Sequence, residues 1–235
     1  TLNQEQIQSN MFSNLNGDEA GLLGYWRFEE NNGMIVYDSS PNGNDGVIMG
    51  ASWSDDVPSA PQEPPPSTGN NHSLSFDGDD EVNIGDIDLV NHFTIISYVK
   101  PDYSLWSGDG GENDMIVGKG NSYMLGVHET WGLYVELLPS GSGTWVGLNS
   151  TYLQNNGISP TFLSENTWSQ VAATHDGQDL KVYLNGVMIY QISLSIDINQ
   201  NDQSTVIGNC SSPHADRWLD GIIDETSIWS IALTQ

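Results

Sequence analysis

The sequence predicts an all-β fold, a two-sheet antiparallel β-sandwich with a short N-terminal helix. Three observations predict it. Short apolar runs recur along the chain between turn residues, the best of them alternate in-out with period two, and two dipeptides between them suit tight hairpins.

The helix comes first. Leu2, Ile7, Met11 and Leu15 recur at helical spacing among Gln, Glu, Asn and Ser, and the pattern ends before Gly17. Thr1-Leu2-Asn3-Gln4 echoes Ala232-Leu233-Thr234-Gln235 at the other end. This echo makes residues 1–20 a connector helix from a preceding repeat and residues 21–235 one domain. The sequence opens at Thr1 rather than Met, as expected of a piece of a longer chain.

Strands are expected over residues 22–28, 35–37, 46–49, 73–76, 81–84, 93–100, 115–119, 123–128, 132–137, 145–148, 168–175, 180–184, 187–192, 205–207 and 221–229. Asp176-Gly177 and Asn185-Gly186 accept positive φ and make 168–192 a three-stranded meander. Leu180, Val182 and Leu184 alternate with Lys181 and Tyr183, as a strand with one core face requires. Residues 57–72, with Pro58, Pro61, Pro64, Pro65 and Pro66, read as an extended surface loop.

Of 235 residues, 31 are acidic and 5 basic, giving a formal net charge of −26. Charged residues total only 15% against 37% hydrophobic, so a core is affordable and a disordered acidic tail is excluded. Five scattered cations cannot build a phosphate-binding patch, so no nucleic acid is expected as partner. Anionic membranes are disfavoured likewise, and no apolar run approaches the ~18 residues of a spanning helix. Cys210 stands alone, so no intrachain disulfide can form.

A family resemblance then appears. Gly21-Leu22-Leu23-Gly24-Tyr25-Trp26-Arg27-Phe28-Glu29-Glu30, followed by Tyr37-Asp38-Ser39-Ser40-Pro41-Asn42-Gly43-Asn44-Asp45-Gly46, resembles the opening of LamG-like jelly-roll domains of the concanavalin A-like lectin/glucanase superfamily. The blocks at 74–82, 93–101, 116–120, 168–186 and 219–229 follow in the family's order. Tyr98 and His175 depart from it, standing where tryptophan and tyrosine are usual. The resemblance implies two packed sheets, one concave, with the strand near Trp26 beside that near Ile228. It also implies an extracellular or cell-surface binding or adhesion module in a tandem array. The partners would be a glycan or cell-surface ligand and neighbouring repeats in the same chain. A spacer repeat without ligand and a glycoside hydrolase are the alternatives.

Catalysis lacks its signature. Glycoside hydrolysis needs two carboxylates facing one cleft. Glu112-Asn113-Asp114 begins the glucanase pattern Glu-x-Asp-x-x-Glu, but Val117 occupies the last place. Asp224 and Glu225 are adjacent, so a regular strand sends them to opposite faces. The five histidines lack zinc spacing, and Cys210 near His214 is no nucleophile signature. The chain is expected not to be an enzyme.

Calcium suits the carboxylates and amides better. The expected structural site draws on Asp38, Asn42, Asn44, Asp80 and Asp224, from the clusters Asp38/Asn42/Asn44/Asp45 and Asp77/Asp79/Asp80; turn stabilisation is the competing role. Asp109, Glu112 and Asp114 read as a solvated loop. For a sugar ligand, Tyr98, Trp106, Trp131 and Trp218 are the candidate contacts, within a wider aromatic set that includes Tyr134 and Trp145. Trp26, Phe28, Phe76, Phe93 and Trp168 are expected in the core.

Overall fold

The structure, a computed structural model, describes residues 15–58, 71–104, 113–211 and 217–233. The expected helix up to residue 14, most of the proline-rich loop, and Trp106, Asp109, Glu112 and His214 lie outside the described residues.

The first eight strands are β1 (Leu22–Trp26), β2 (Ile35–Val36), β3 (Gly46–Met49), β4 (Ser52–Ser54), β5 (Ser73–Asp77), β6 (Glu81–Asn83), β7 (His92–Pro101) and β8 (Asn113–Lys119). The rest are β9 (Tyr123–His128), β10 (Gly132–Leu137), β11 (Val146–Leu148), β12 (Ser169–Asp176), β13 (Asp179–Leu184), β14 (Val187–Ser193), β15 (Thr205–Ile207) and β16 (Asp220–Trp229). Among the described residues the single helix is α1 (Ser150–Asn156). It interrupts a stretch for which the sequence suggested no helix. Asn149 caps it, accepting from the Tyr152 N–H, and Gly157 closes it at φ 63°.

Two eight-stranded antiparallel sheets result. The first runs β14–β13–β12–β7–β16–β5–β4, with β1 also on β16; the second runs β11–β10–β9–β8–β15–β6–β3–β2. The ends of the domain meet as expected, with Gly24 opposite Ile228 and Trp26 opposite Thr226. The meander β12–β13–β14 is present, and Asn185 (φ 50°) with Gly186 (φ 74°) supplies the left-handed pair its second turn needs.

Alternation fills the core. Trp26, Phe28, Phe76 and Phe93 are buried between the sheets with Leu125, Val127, Val171, Val182 and Ile223. Each such side chain stabilises the fold by roughly 1.5–3 kcal/mol on burial. Phe28 reaches the core from outside a strand, because φ 57° there ends β1 at Trp26. Trp168 is not in the core: it precedes β12, half-buried, and donates to Asp56. Asp114 is not a solvated loop residue but a buried one in β8. Lys119 is fully buried, its ammonium held by Asp86 and Asp88. Among the described residues, no helix is long and apolar enough to cross a membrane.

Candidate functional site

The outer face of the second sheet is covered rather than solvated. Along β9 and β10, Tyr123, Leu125, Val127, Leu133, Val135 and Leu137 point into the core. Their alternates Met124 and Tyr134 point outward and form a separate cluster with Met115, Cys210 and half-buried Trp145. Gly126 makes this possible: a Cβ there would sit 3.0 Å from the Tyr134 hydroxyl. The Tyr134 ring thus crosses the β9 backbone where any side chain would block it.

Aromatic rings continue from Tyr134. Trp131, in the β9–β10 turn, stacks on His128 with centroids 3.7 Å apart and planes 10° apart. Its edge meets Tyr134 at 6.0 Å. The Thr130 N–H donates to His128 Nδ1, which places the ring proton of the neutral form on Nε2.

Polar groups border the rings. Asn149, the cap of α1, donates through Nδ2 to Glu136 Oε1 at 2.9 Å. Burial pushes the Glu136 carboxyl up, against the pull of Asn149 and Arg217. Arg217 also donates to Met124 Sδ. The Tyr134 hydroxyl is buried, and burial holds its proton on against the pull of the neighbouring Arg217.

The first sheet carries a different cluster. A bulge between Asp224 and Ser227, with Glu225 at φ 47°, interrupts β16. The expectation that Asp224 and Glu225 face opposite sides is thereby overturned: both act on Tyr25 and Tyr98, on one outer face. Tyr25 donates to Glu225 Oε2, Arg27 lies 3.8 Å from Oε1, and Gln170 donates to the Tyr98 hydroxyl. Burial raises the Glu225 carboxyl to about 7, against the pull of Tyr25 and Arg27. Tyr25 and Asp224 are buried, and the Glu225 side chain is 12% exposed.

The expected site residues therefore separate. Trp131 is in the aromatic run. Tyr98 is on the other sheet, because β7 alternation places it opposite Asp224. Trp218 is half-buried just before β16, and Trp106 lies outside the described residues. His128, Glu136, Asn149 and Arg217 were not singled out; the spacing Met124-Gly126-His128 against Tyr134-Glu136 was their available signal.

The calcium residues separate too. Asp38 accepts from Tyr25 N, Ser40 N, Ser40 Oγ and Asn44 N, so its lone pairs are taken. The Asn42 and Asn44 amides donate to the Leu22 and Leu23 carbonyls. These three fit a hydrogen-bonded turn and not an ion. Asp224 sits in the bulge, accepting from the Glu225 N–H. Asp80, in the β5–β6 turn, does converge with Asp77 and Asp79, their carboxylate oxygens lying within 4.8 Å of one another. Burial, then the nearness of Asp77, raises Asp80; Asp79 is raised by its contact with Asp77. Among the described residues, this oxygen-only, mutually repelling set is the one that fits a hard cation.

A family model described as the concanavalin A-like lectin/glucanases superfamily matches residues 76–235, and the chain belongs to that superfamily. A search of curated proteins finds no match. Among solved structures, domain 4 of AbnA, a GH43 extracellular arabinanase from Geobacillus stearothermophilus, in complex with arabinotriose, is similar at TM-score 0.63 and 20% identity; the alignment covers 92% of this chain and 96% of that one. The binding domain of Paraclostridial Mosquitocidal Protein 1 is similar at TM-score 0.64 and 16% identity, over 91% of this chain and 50% of that one. The botulinum neurotoxin serotype D binding domain follows at TM-score 0.59 and 12% identity, over 91% and 49%. This chain thus spans about half of each toxin domain. At such identities the likeness is one of fold.

Proposed function

We propose that the chain is a non-catalytic carbohydrate-binding module whose glycan platform is the outer face of the second sheet. The observation that carries this is half-buried Trp131, fixed by its stack on buried His128 and its edge on buried Tyr134, with Glu136, Asn149 and Arg217 nearby. Ring faces take the C–H faces of sugars, and a few fixed polar groups set orientation. The arabinotriose complex of the arabinanase domain supports the ligand class.

The reading extends to an extracellular or surface setting with neighbouring repeats, where linked weak sites gain affinity through effective concentration. Supporting it are the extracellular arabinanase relative and the echo between the two ends of the sequence. The non-catalytic reading is supported by the burial of Asp224 and by the contacts of Glu225 with Tyr25 and Arg27.

The test is a glycan array followed by calorimetry with the best oligosaccharide. Trp131→Ala should weaken binding by roughly 10–100-fold, about 1.4–2.8 kcal/mol. No binding across the array, or full affinity in the variant, would overturn the assignment. Release of shorter sugars on incubation would overturn the non-catalytic part.

A further inference from the structure

A cleft of ≈ 420 Å³ opens at the rim of the sandwich where three connections meet. Val90 and Asn91 come from the β6–β7 connection, Ser140 from β10–β11, and Asp197, Ile198, Asn199 and Gln200 from β14–β15. Its volume falls within the roughly 300–1,000 Å³ of small-ligand sites. It lies beyond the far end of β10 from Trp131. The six residues of that strand separate the two places by roughly 20 Å, at about 3.3 Å each.

The walls are fixed by the backbone. Ser140 N donates to Asp197 O at 2.7 Å and Asn199 N to Leu138 O at 2.8 Å, while Pro139 bridges to Ile198. Asn199 Nδ2 donates to Asn121 O at 2.8 Å. Behind Asn91, outside the lining, the fully buried His175 ring joins Asn91 O and Leu194 O, both at 2.7 Å. The side chains of Ser140, Asp197 and Gln200, by contrast, bond to nothing among the described residues. Fixed walls that carry uncommitted polar groups are preorganised for a ligand.

The lining selects the ligand chemistry. It contains no Lys, Arg or His, and Asp197 stands in a chain of net charge −26, so anions are repelled. One carboxylate is too few for a calcium cage. A hydroxyl, three amides and a carboxylate offer donors and acceptors together, as a polyol requires. Val90 and Ile198 supply apolar surface for ring C–H groups.

We propose that this rim cleft is a second subsite for a neutral oligosaccharide, separate from the aromatic face. It rests on the glycan-binding reading above, and the test separates the two. The whole chain, isotope-labelled for amide spectroscopy, is titrated with arabinotriose, and in parallel with maltotriose and cellotriose. Saturable shifts at Asn91, Ser140, Asn199 and Gln200, in addition to any around Trp131, are expected. The double variant Asp197→Ala/Gln200→Ala, which alters two exposed side chains, should weaken the rim response at least ~10-fold and spare the aromatic one. Trp131→Ala should do the reverse. Shifts confined to the aromatic face, or a rim response unchanged in the double variant, overturn the subsite and leave the module's assignment standing. Shifts at neither place with any of the three sugars overturn both.

Discussion

The outer faces of the two sheets both carry aromatic and acidic residues and use them differently. On the first sheet, Leu22, Tyr25, Trp229 and Leu233 close over the strands together with Leu15 and Ile96, and Glu225 has Tyr25 and Arg27 for neighbours. There the chain covers itself from both ends. On the second sheet Trp131 is only partly covered, and Glu136 is held by the Asn149 amide. The same residue types are closed over on one face and leave Trp131 partly exposed on the other, and the difference lies in what covers them.

The largest effect that tests this contrast belongs to the covered face. Tyr25→Ala removes a side chain only 2% exposed and frees Glu225. It should cost about 3–5 kcal/mol of stability, read by denaturant unfolding. Oligosaccharide affinity, measured well below the lowered melting temperature, should not change. A loss of affinity with no loss of stability would reverse the roles of the two faces.

The next effect is set by pH. The Glu225 carboxyl is raised to about 7 in the fold from an ordinary value of 4.5. The folded state therefore holds its proton more tightly than the unfolded chain. Its stabilising contribution is complete below the unfolded value and is lost as pH rises through about 7. Asp220 and Glu136, also raised by burial, act in the same direction. Asp176 opposes them at lower pH: burial pushes it up, but the Asp179 N–H and Lys181 bring it down to about 2, so its contribution is lost only in stronger acid. Moving from about pH 8 to about pH 5 should raise stability by on the order of 2 kcal/mol. Glu225→Gln keeps an acceptor for the Tyr25 hydroxyl and removes the charge, so it should flatten the profile and leave the protein no less stable at about pH 8. An unchanged profile in that variant would assign the dependence to other groups.

Sequence periodicity disclosed the sandwich because strand alternation is a local signal. All expected strands appear, and only β4, three residues long, was missed. The turn chemistry of Asn185-Gly186 was equally local. The sites were less legible because they depend on departures from regularity. A bulge turned Asp224 and Glu225 to one face, against the period-two rule. Asp38 looked like a cation ligand until the donors of Tyr25, Ser40 and Asn44 converged on it from 13 residues upstream and from its own turn. Tyr98 and Trp131 are both aromatic and both near polar residues, and nothing local says that they belong to opposite sheets. Arg217 and Asn149 reach Met124 and Glu136 from 93 and 13 residues away, a proximity that only the closed fold creates.

The smallest effect concerns the acidic turn at the β5–β6 junction. Asp77, Asp79 and Asp80 crowd their oxygens without an intrachain cation among their described contacts, unlike Asp56 and Asp176, which pair with Lys100 and Lys181. An ion that binds only the folded turn stabilises it by RT ln(1 + [L]/Kd), about 1.4 kcal/mol at ten times Kd. Calcium at millimolar concentration should therefore raise the melting temperature by a few degrees over chelator, and Asp79→Asn should reduce the shift. Magnesium, which resists dehydration and demands stricter geometry, should give a smaller one. Equal melting with calcium and with chelator would leave these carboxylates as solvated turn residues. A calcium shift that persists in Asp79→Asn but vanishes in Asp38→Asn would return the ion to the turn at Asp38, where four donors would have to swing away to admit it.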